Sequence, residues 1–487
     1  MLPDHTPVLV GIGVASRREA DFERALEPMD LMLEAVQAAG QDSGSPVALS
    51  SAQFIAVPRG RWNYSNPAGE IARVVGAVGA TTVLSTVGVL QQTLIGAACA
   101  RIARGEVHTA LVTGADAGYR LLRAQMAGRQ APERAQGDSP DIFMAPKDEL
   151  RHVVEKRAGL HLPVGLYAIM ESAFRASHGW SLARHRQLLA ELLERFSQVA
   201  AANPHAWQRT PADAAFIREP SDHNPMQAMP YTRAHCSTWN VDQAAALLLC
   251  SAARAKELGI ERSRWIFPLA STESNHMVAV SARAHLAACP GARIAGIAAL
   301  ANAGLAAQDI DLIDLYSCFP LAVQAYAEAL GLSLERPPTL TGGMPFAGGP
   351  YNNYLFQATC RAAELLRQGK GQTALVSCVS GVLTKQGFGI WSVNAPPQGF
   401  VHEDVSDAVA REMPALEVVE EFSGPASVAG YTVLHGRGQQ PRGVALVDTT
   451  QGQRAMATTE DTEMVARMQQ EEFVGRVVLV QNNHLLR

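Results

Sequence analysis

The sequence predicts an α/β protein: two similar βαβ half-domains stacked in an α/β/α/β/α layered core, with a mainly helical insertion and a small C-terminal β-barrel-like domain. Three observations predict it. First, Thr109-Ala110-Leu111-Val112 recurs 264 residues later as Thr373-Ala374-Leu375-Val376, and Ala39-Gly40 recurs at the same offset as Ala303-Gly304. A repeat at a constant offset sets the architecture before any local motif does. Second, apolar runs of strand length alternate with amphipathic helical stretches, which implies sheets covered by helices on both faces. Third, after about residue 410 the chain changes to short β-like runs separated by Gly, Gln and Pro.

The elements follow in order. Pro7 to Val14 reads as a strand. Pro28 to Ala39 reads as a helix, with Pro at its start, Met29, Met32, Leu33 and Val36 on one face, and Gly40 beyond its end. A strand is expected over Ala48 to Val57 and its copy over Ile310 to Tyr316. Gly105 and Gly369 end the helices that precede the repeated Thr-Ala-Leu-Val strands. Arg120 to Tyr231 is richer in Arg, His and Pro and holds a long amphipathic helix, Ser181 to Ala202, with Leu189, Leu192 and Phe196 on its apolar face. The chain returns to the sheet at Ala244 to Cys250, where Ser251 caps a following helix that Gly259 stops. In the tail, strands are expected over Gly430 to His435, Gly443 to Asp448, Gln453 to Thr458 and Gly475 to Val480, with one helix near Asp461 to Gln470. A closed or half-closed barrel would leave so short a domain without exposed edges. The expected boundaries are residues 1–120 with 240–290 for the first half, 121–239 for the insertion, 291–410 for the second half and 411–487 for the tail.

Composition narrows the function. Apolar residues make up 47% of the chain, charged residues 18%, and the formal net charge is −5 without a basic run, so the electrostatic footprint of a nucleic-acid binder is missing. The seven Cys form no CxxC pair, and neither a disulfide frame nor a metal site is expected. That fits a reducing, cytoplasmic setting. The apolar stretch Pro7 to Ala15 is too short for a signal core or a membrane span, so no membrane partner is expected. Gly11-Ile12-Gly13 follows a strand but lacks the third glycine of a dinucleotide fingerprint.

The chemistry-bearing motifs are Asp314-Leu315-Tyr316-Ser317-Cys318-Phe319-Pro320, the loop Thr341-Gly342-Gly343-Met344-Pro345-Phe346-Ala347-Gly348-Gly349-Pro350, Asp242 to Ala246, and Ala374 to Cys378 with its turn to Gly381. Together they resemble the thiolase superfamily over residues 7 to 400. The tail and the phrase Gly-Gly-Pro-Tyr-Asn-Asn-Tyr resemble in particular the type 1 thiolase-like proteins, a branch often labelled acetyl-CoA acetyltransferase, whose tail is an OB-like β domain. The resemblance implies the thiolase fold and CoA or an acyl-CoA as ligand, with no permanently bound cofactor and no metal.

It also implies a nucleophilic Cys at a helix N-terminus, where thiolate is stabilised. Counting back from Gly105, that position is Gly88. The activating His of the family's Gly-His-Pro falls on Gly349, within Gly348-Gly349-Pro350. Only the family's second, acid/base Cys has a match, Cys378. Ordinary thiolase activity is therefore not expected. The resemblance assigns ligand binding to Gly88, Thr238, Gly342, Gly343, Gly348 and Gly349, which would hold a thioester carbonyl or a CoA pyrophosphate. It leaves Cys378, Tyr316, Ser317, Cys318 and His235 as candidate catalytic groups. Three readings stay open: a CoA-thioester-binding protein in acyl-CoA metabolism without thiolase chemistry, an acyltransferase or thioester-cleaving enzyme using Cys378 with a rerouted base, and a non-catalytic subunit that meets a partner enzyme through its tail. A homodimer is a further possibility.

Overall fold

The structure, a computed structural model, describes residues 2–486. The first half runs β1 (Pro7–Ser16), α1 (Pro28–Ser43), β2 (Phe54–Pro58), α2 (Pro67–Val75), β3 (Thr81–Ser85), α3 (Gln91–Ala103), β4 (Thr109–Ala117), α4 (Gly118–Met126) and β5 (Ile142–Met144). The insertion holds α5 (Val153–Arg157), α6 (Pro163–Ser177), α7 (Leu182–Ala202), α8 (Ala214–Arg218), β6 (Met226–Ala228) and β7 (Tyr231–Thr232). Next come β8 (Asp242–Ser251), α9 (Ala252–Glu257) and β9 (Phe267–Ser274). The second half continues through α10 (Pro290–Ala303), β10 (Leu312–Asp314), α11 (Pro320–Leu330), α12 (Gly343–Phe346), α13 (Tyr354–Arg367), β11 (Thr373–Ser380), β12 (Lys385–Ser392) and β13 (Val401–Asp404). The tail contains α14 (Ser406–Glu412), β14 (Gly424–Leu434), β15 (Arg442–Thr449), β16 (Arg454–Thr459), α15 (Thr462–Gln470), β17 (Val477–Gln481) and β18 (His484–Leu485).

The repeat is structural. In the first sheet β2 lies parallel to β4, β4 antiparallel to β8, and β8 antiparallel to β1; the second sheet repeats this as β10, β11, β12 and β9. The helices α3 and α13 precede the repeated strands, and a single apolar cluster joins both helices to both sheets. The two copies differ at their rims. In the first, β5 pairs parallel with the outer edge of β3; in the second, β13 pairs parallel with β9.

Local physics accounts for four differences from the sequence expectations. The first is Gly40, which does not end its helix: α1 continues to Ser43 and is capped by Gly44 in a left-handed conformation (φ 73°). Gly40 lies inside because Leu49 packs against it, and a Cβ there would stand 2.5 Å from a Leu49 methyl. Its copy Gly304 does cap α10, with φ 67°. Residues 48–52 form a turn rather than the start of β2, with the Ser50 and Ser51 hydroxyls donating to the carbonyls of Val47 and Ala48. Likewise β10 is only three residues long, because the Leu315 and Tyr316 amides leave the ladder for Pro338 O and Ser377 Oγ. Finally, α6 carries no amphipathic signal because residues 165–175 are buried all round.

In the tail, β14, β15, β16, β18 and β17 close into a five-stranded barrel, since β14 pairs with both β15 and β17. The insertion is stitched to it. Ala228 of β6 pairs with Leu434 of β14, and the buried Arg175 of α6 donates to the Glu472 carboxylate and to Tyr431 Oη. Among the described residues no helix is long and apolar enough to cross a membrane.

Candidate functional site

The site is built where the two repeated helices begin. Leu355, in the first turn of α13, donates its N–H to Gln91 Oε1 at the start of α3 over 2.7 Å. Neither helix is capped by a side chain, so other groups must take up their first N–H groups. At α3 that group is Cys378. Its thiol lies against the backbone N–H of Gln92 and Gln91; burial nevertheless pushes it up to about 12. Helix-end stabilisation of a thiolate loses here to desolvation. Cys378 faces Gly387 across the β11–β12 ladder, and a Cβ at Gly387 would sit 2.8 Å from the sulfur.

Two further ionisable groups flank the same helix end, and the sequence reading missed both. Glu273 ends its strand buried, accepting hydrogen bonds from Thr93 Oγ1 and Asn275 Nδ2, and burial raises its carboxyl to about 7. Lys385 is buried, its ammonium pulled down by desolvation, and its Nζ donates to Gly88 O at 2.8 Å. Neither stands in a recognisable motif. Only the antiparallel register of β9 against β12, which pairs Ser274 with Gln386, brings them to one end of the sheet.

Gly88 adopts φ 101°, a conformation disfavoured for a side-chain-bearing residue. A Cβ there would stand 2.7 Å from the ring of Pro146. That proline is delivered by β5: the Asp141 carboxylate accepts from Thr82 N and Oγ1, and Thr86 N donates to Met144 O. At Gly349 a Cβ would lie 2.1 Å from Ser237 Oγ and 3.0 Å from the Met344 methyl. At both positions the space for a side chain is filled.

The glycine loop is not the open cradle that the resemblance implies. Residues 341–350 are all buried. Gly342, Gly343 and Gly348 have φ of 99°, 74° and 103°, and Cβ atoms there would collide with Ala200, Phe196 and Gln243 respectively. The loop is glycine-rich because α7 and β8 press on it. Its amides are spent internally: Gly342 N on Thr339 Oγ1, Gly343 N on Thr341 Oγ1, Met344 N on Ser317 Oγ and Gly349 N on Thr238 O. Thr238 and Ser317 are thus clamps for this loop, and Thr238 Oγ1 also donates to Pro345 O at 2.6 Å.

Of the remaining candidates, Tyr316 is brought to Cys378. Its phenol, raised by burial, interacts with Cys318, Cys378 and the Gln91 side chain, and its ring meets Tyr354 edge-on at 5.6 Å. Cys318 is pushed up to about 12 by burial and bonds to Tyr167. His235 does not join them. Its Nδ1 accepts from Thr232 N and shares a bond with Thr232 Oγ1, and burial, with the nearby Arg186 of the insertion, pushes it down to about 3. Among the described residues, no group of three or more His, Cys, Asp or Glu could hold a metal ion.

The fold and the C-terminal domain have known relatives. Residues 404–484 match the family described as the thiolase-like protein type 1 additional C-terminal domain. The structure of a monomeric SCP2-thiolase like protein type 1 from Mycobacterium smegmatis superposes with a TM-score of 0.84 at 27% identity, covering 100% of both chains. A human mitochondrial 3-ketoacyl-CoA thiolase in complex with CoA superposes with a TM-score of 0.57 at 17% identity, over 80% of this chain and 99% of that one, a likeness of fold. An acetyl-CoA acetyltransferase of Methanocaldococcus jannaschii is 30% identical over 104 residues, which span 21% of this chain and 26% of that relative.

Proposed function

We propose that this chain, a thiolase-like protein of type 1 in its fold and its C-terminal domain, binds CoA or an acyl-CoA thioester and does not run thiolase condensation or cleavage. One observation carries the second half of that reading: the places of the nucleophile and its base are glycines closed over by Pro146 and by Ser237 with Met344. Catalytic groups that work as a unit leave little rate when both are gone. The first half is supported by the shared fold and by the N-terminus of α3, against which Cys378 of β11 lies. Calorimetric titration with CoA and with acetyl-CoA tests it. Saturable binding of either supports it, and flat titrations with both, repeated with longer acyl chains, overturn it.

A second reading has its own observation. Cys378, Glu273 and Lys385 gather at one helix end, and the latter two have values displaced toward neutrality. Thioester cleavage through Cys378 would then be measurable, and Cys378→Ala should abolish it.

A homodimer through the outer edge of β3 is disfavoured, because β5 already pairs with that strand. An assembly with a partner enzyme through the tail stays compatible, but the tail is joined to the insertion by β6 and Arg175.

A further inference from the structure

No residue from 125 to 153 is buried, and only Ile142 and Met144 rest against an apolar cluster, half-buried. The irregular stretch 127–141 reaches the roughly 12–15 residues at which a loop of a compact domain is usually a functional cover or binding loop. The second sheet ends at β10, without a counterpart of β5, so the repeat itself does not need this segment.

Polar side chains hold it down instead of a core. Arg134 donates to three carboxylates: Glu27, Asp30 and, at 2.7 Å, Glu70. Gln136 gives Nε2 to Glu70 and accepts from Asn66 N, and Glu133 accepts from Asn63 N at 2.9 Å. Beyond these anchors come β5 and Pro146, whose ring would stand 2.7 Å from a Cβ at Gly88. Two residues on, the Asp148 charge acts on the buried Lys385 ammonium, whose Nζ donates to Gly88 O. The end of the segment thus closes over the start of α3. A segment with few buried apolar contacts and partly exposed hydrogen bonds opens locally at less cost than the sheet it covers.

We propose that residues 129–148 are a lid, latched by Arg134, which swings off as a unit while both sheets stay folded and uncovers Gly88 O and Lys385. For what passes beneath it, the lid rests on the reading of the start of α3 as the ligand site. The latch is charge-assisted and forked, since one guanidinium spans three carboxylates that would be left facing each other when it lifts.

Residue-resolved hydrogen exchange on the full chain tests it, because β3 spends its amides on two different neighbours. Thr82 N and Thr86 N donate to the lid, at Asp141 Oδ2 and Met144 O. On the other edge Thr81 N donates to Gln53 O, and Arg59 N to Ser85 O. Thr82 and Thr86 should exchange faster than Thr81 and Arg59. Arg134→Gln should raise the first pair about tenfold or more and leave the second pair and the urea midpoint unchanged, which separates lid opening from loss of fold. Arg134→Lys should lie between, and added NaCl should act on the first pair only. Access is read by acetylation with N-hydroxysuccinimidyl acetate and peptide mass spectrometry: labelling of Lys385 should rise in Arg134→Gln, and that of the exposed Lys370 should not. Four amides exchanging together in the wild type, no effect of Arg134→Gln on Thr82 and Thr86, or unchanged labelling of Lys385 would each overturn the lid. Flat titrations with CoA would sink the ligand reading instead, and the exchange and labelling results would still decide the lid.

Discussion

Leu355 and Gln91 stand 264 positions apart, the offset of the internal repeat, and are joined by a 2.7 Å hydrogen bond from the Leu355 N–H to Gln91 Oε1. Equivalent turns of two copies therefore hold each other, but with a side chain from only one of them. Gln91→Leu leaves a buried amide of α13 without its acceptor and should cost about 1–3 kcal/mol. Gln91→Glu keeps the acceptor and should cost less. Urea unfolding, with the midpoint shifted and the slope unchanged, checks this; equal midpoints for wild type and Gln91→Leu would contradict it.

Placing at positions 88 and 349 the Cys and His that the resemblance implies there should not create thiolase catalysis. Gly88→Cys meets Pro146 and a positive φ, and Gly349→His meets Ser237 and Met344. Each is expected to destabilise by roughly 2 kcal/mol or more, and the double variant should show no thiolytic cleavage of acetoacetyl-CoA. Cleavage well above the wild-type background would mean that the site is more open than its packing.

Cys378 should resist alkylation. With its thiol pushed up to about 12, thiolate is roughly one part in ten thousand at pH 8. Iodoacetamide followed by peptide mass spectrometry should find it unmodified in the native chain and labelled after guanidinium unfolding. Native labelling at the rate of a free thiol would favour the catalytic reading.

Glu273 makes stability pH-dependent with a definite sign. Its carboxyl titrates near 4.5 when unfolded and about 7 when folded, so the native state holds the proton more tightly. Its contribution is fully present below about pH 4.5 and is lost as pH rises through 7. Asp242, raised to about 7 from 3.8, acts in the same direction. Glu273→Gln should therefore flatten the decline between pH 4.5 and 7.5, leaving the share of Asp242, and should gain on the order of 2 kcal/mol relative to wild type at the upper end. An unchanged slope would show that this carboxyl is not desolvated.

Sedimentation should find one chain per particle at micromolar concentration, because the β3 edge is already paired. Thr82→Val removes a hydroxyl shared with Asp141 and loosens the β5 strap. If any variant dimerises, it should be this one, while a wild-type dimer would show that another face associates.

Much of the fold was legible because it rests on periodicity and repetition: the Thr-Ala-Leu-Val copies, the Ser251 cap and four of the five barrel strands lie where residue patterns put them. What escaped depended on contacts between distant segments. Gly40 looks like a stop until Leu49 is seen against it, α6 has no stripe because every side is covered, and β18 is two residues long. For the site, the resemblance together with counting back from Gly105 put the expected nucleophile position at Gly88, where no thiol stands. It gave no sign of Pro146 above Gly88, of Glu273 and Lys385 beside it, or of His235 facing Thr232 instead of Cys378. The glycine loop misled because the same residue type serves an anion cradle and a tight helix crossing equally well.

Pro146 also bounds what a change at position 88 can do. A Cβ there would stand 2.7 Å from the pyrrolidine ring, so any side chain placed at 88 clashes before it can act. The covering ring and the residue beneath it form one packing unit, and a new group at 88 is admitted only if both change together.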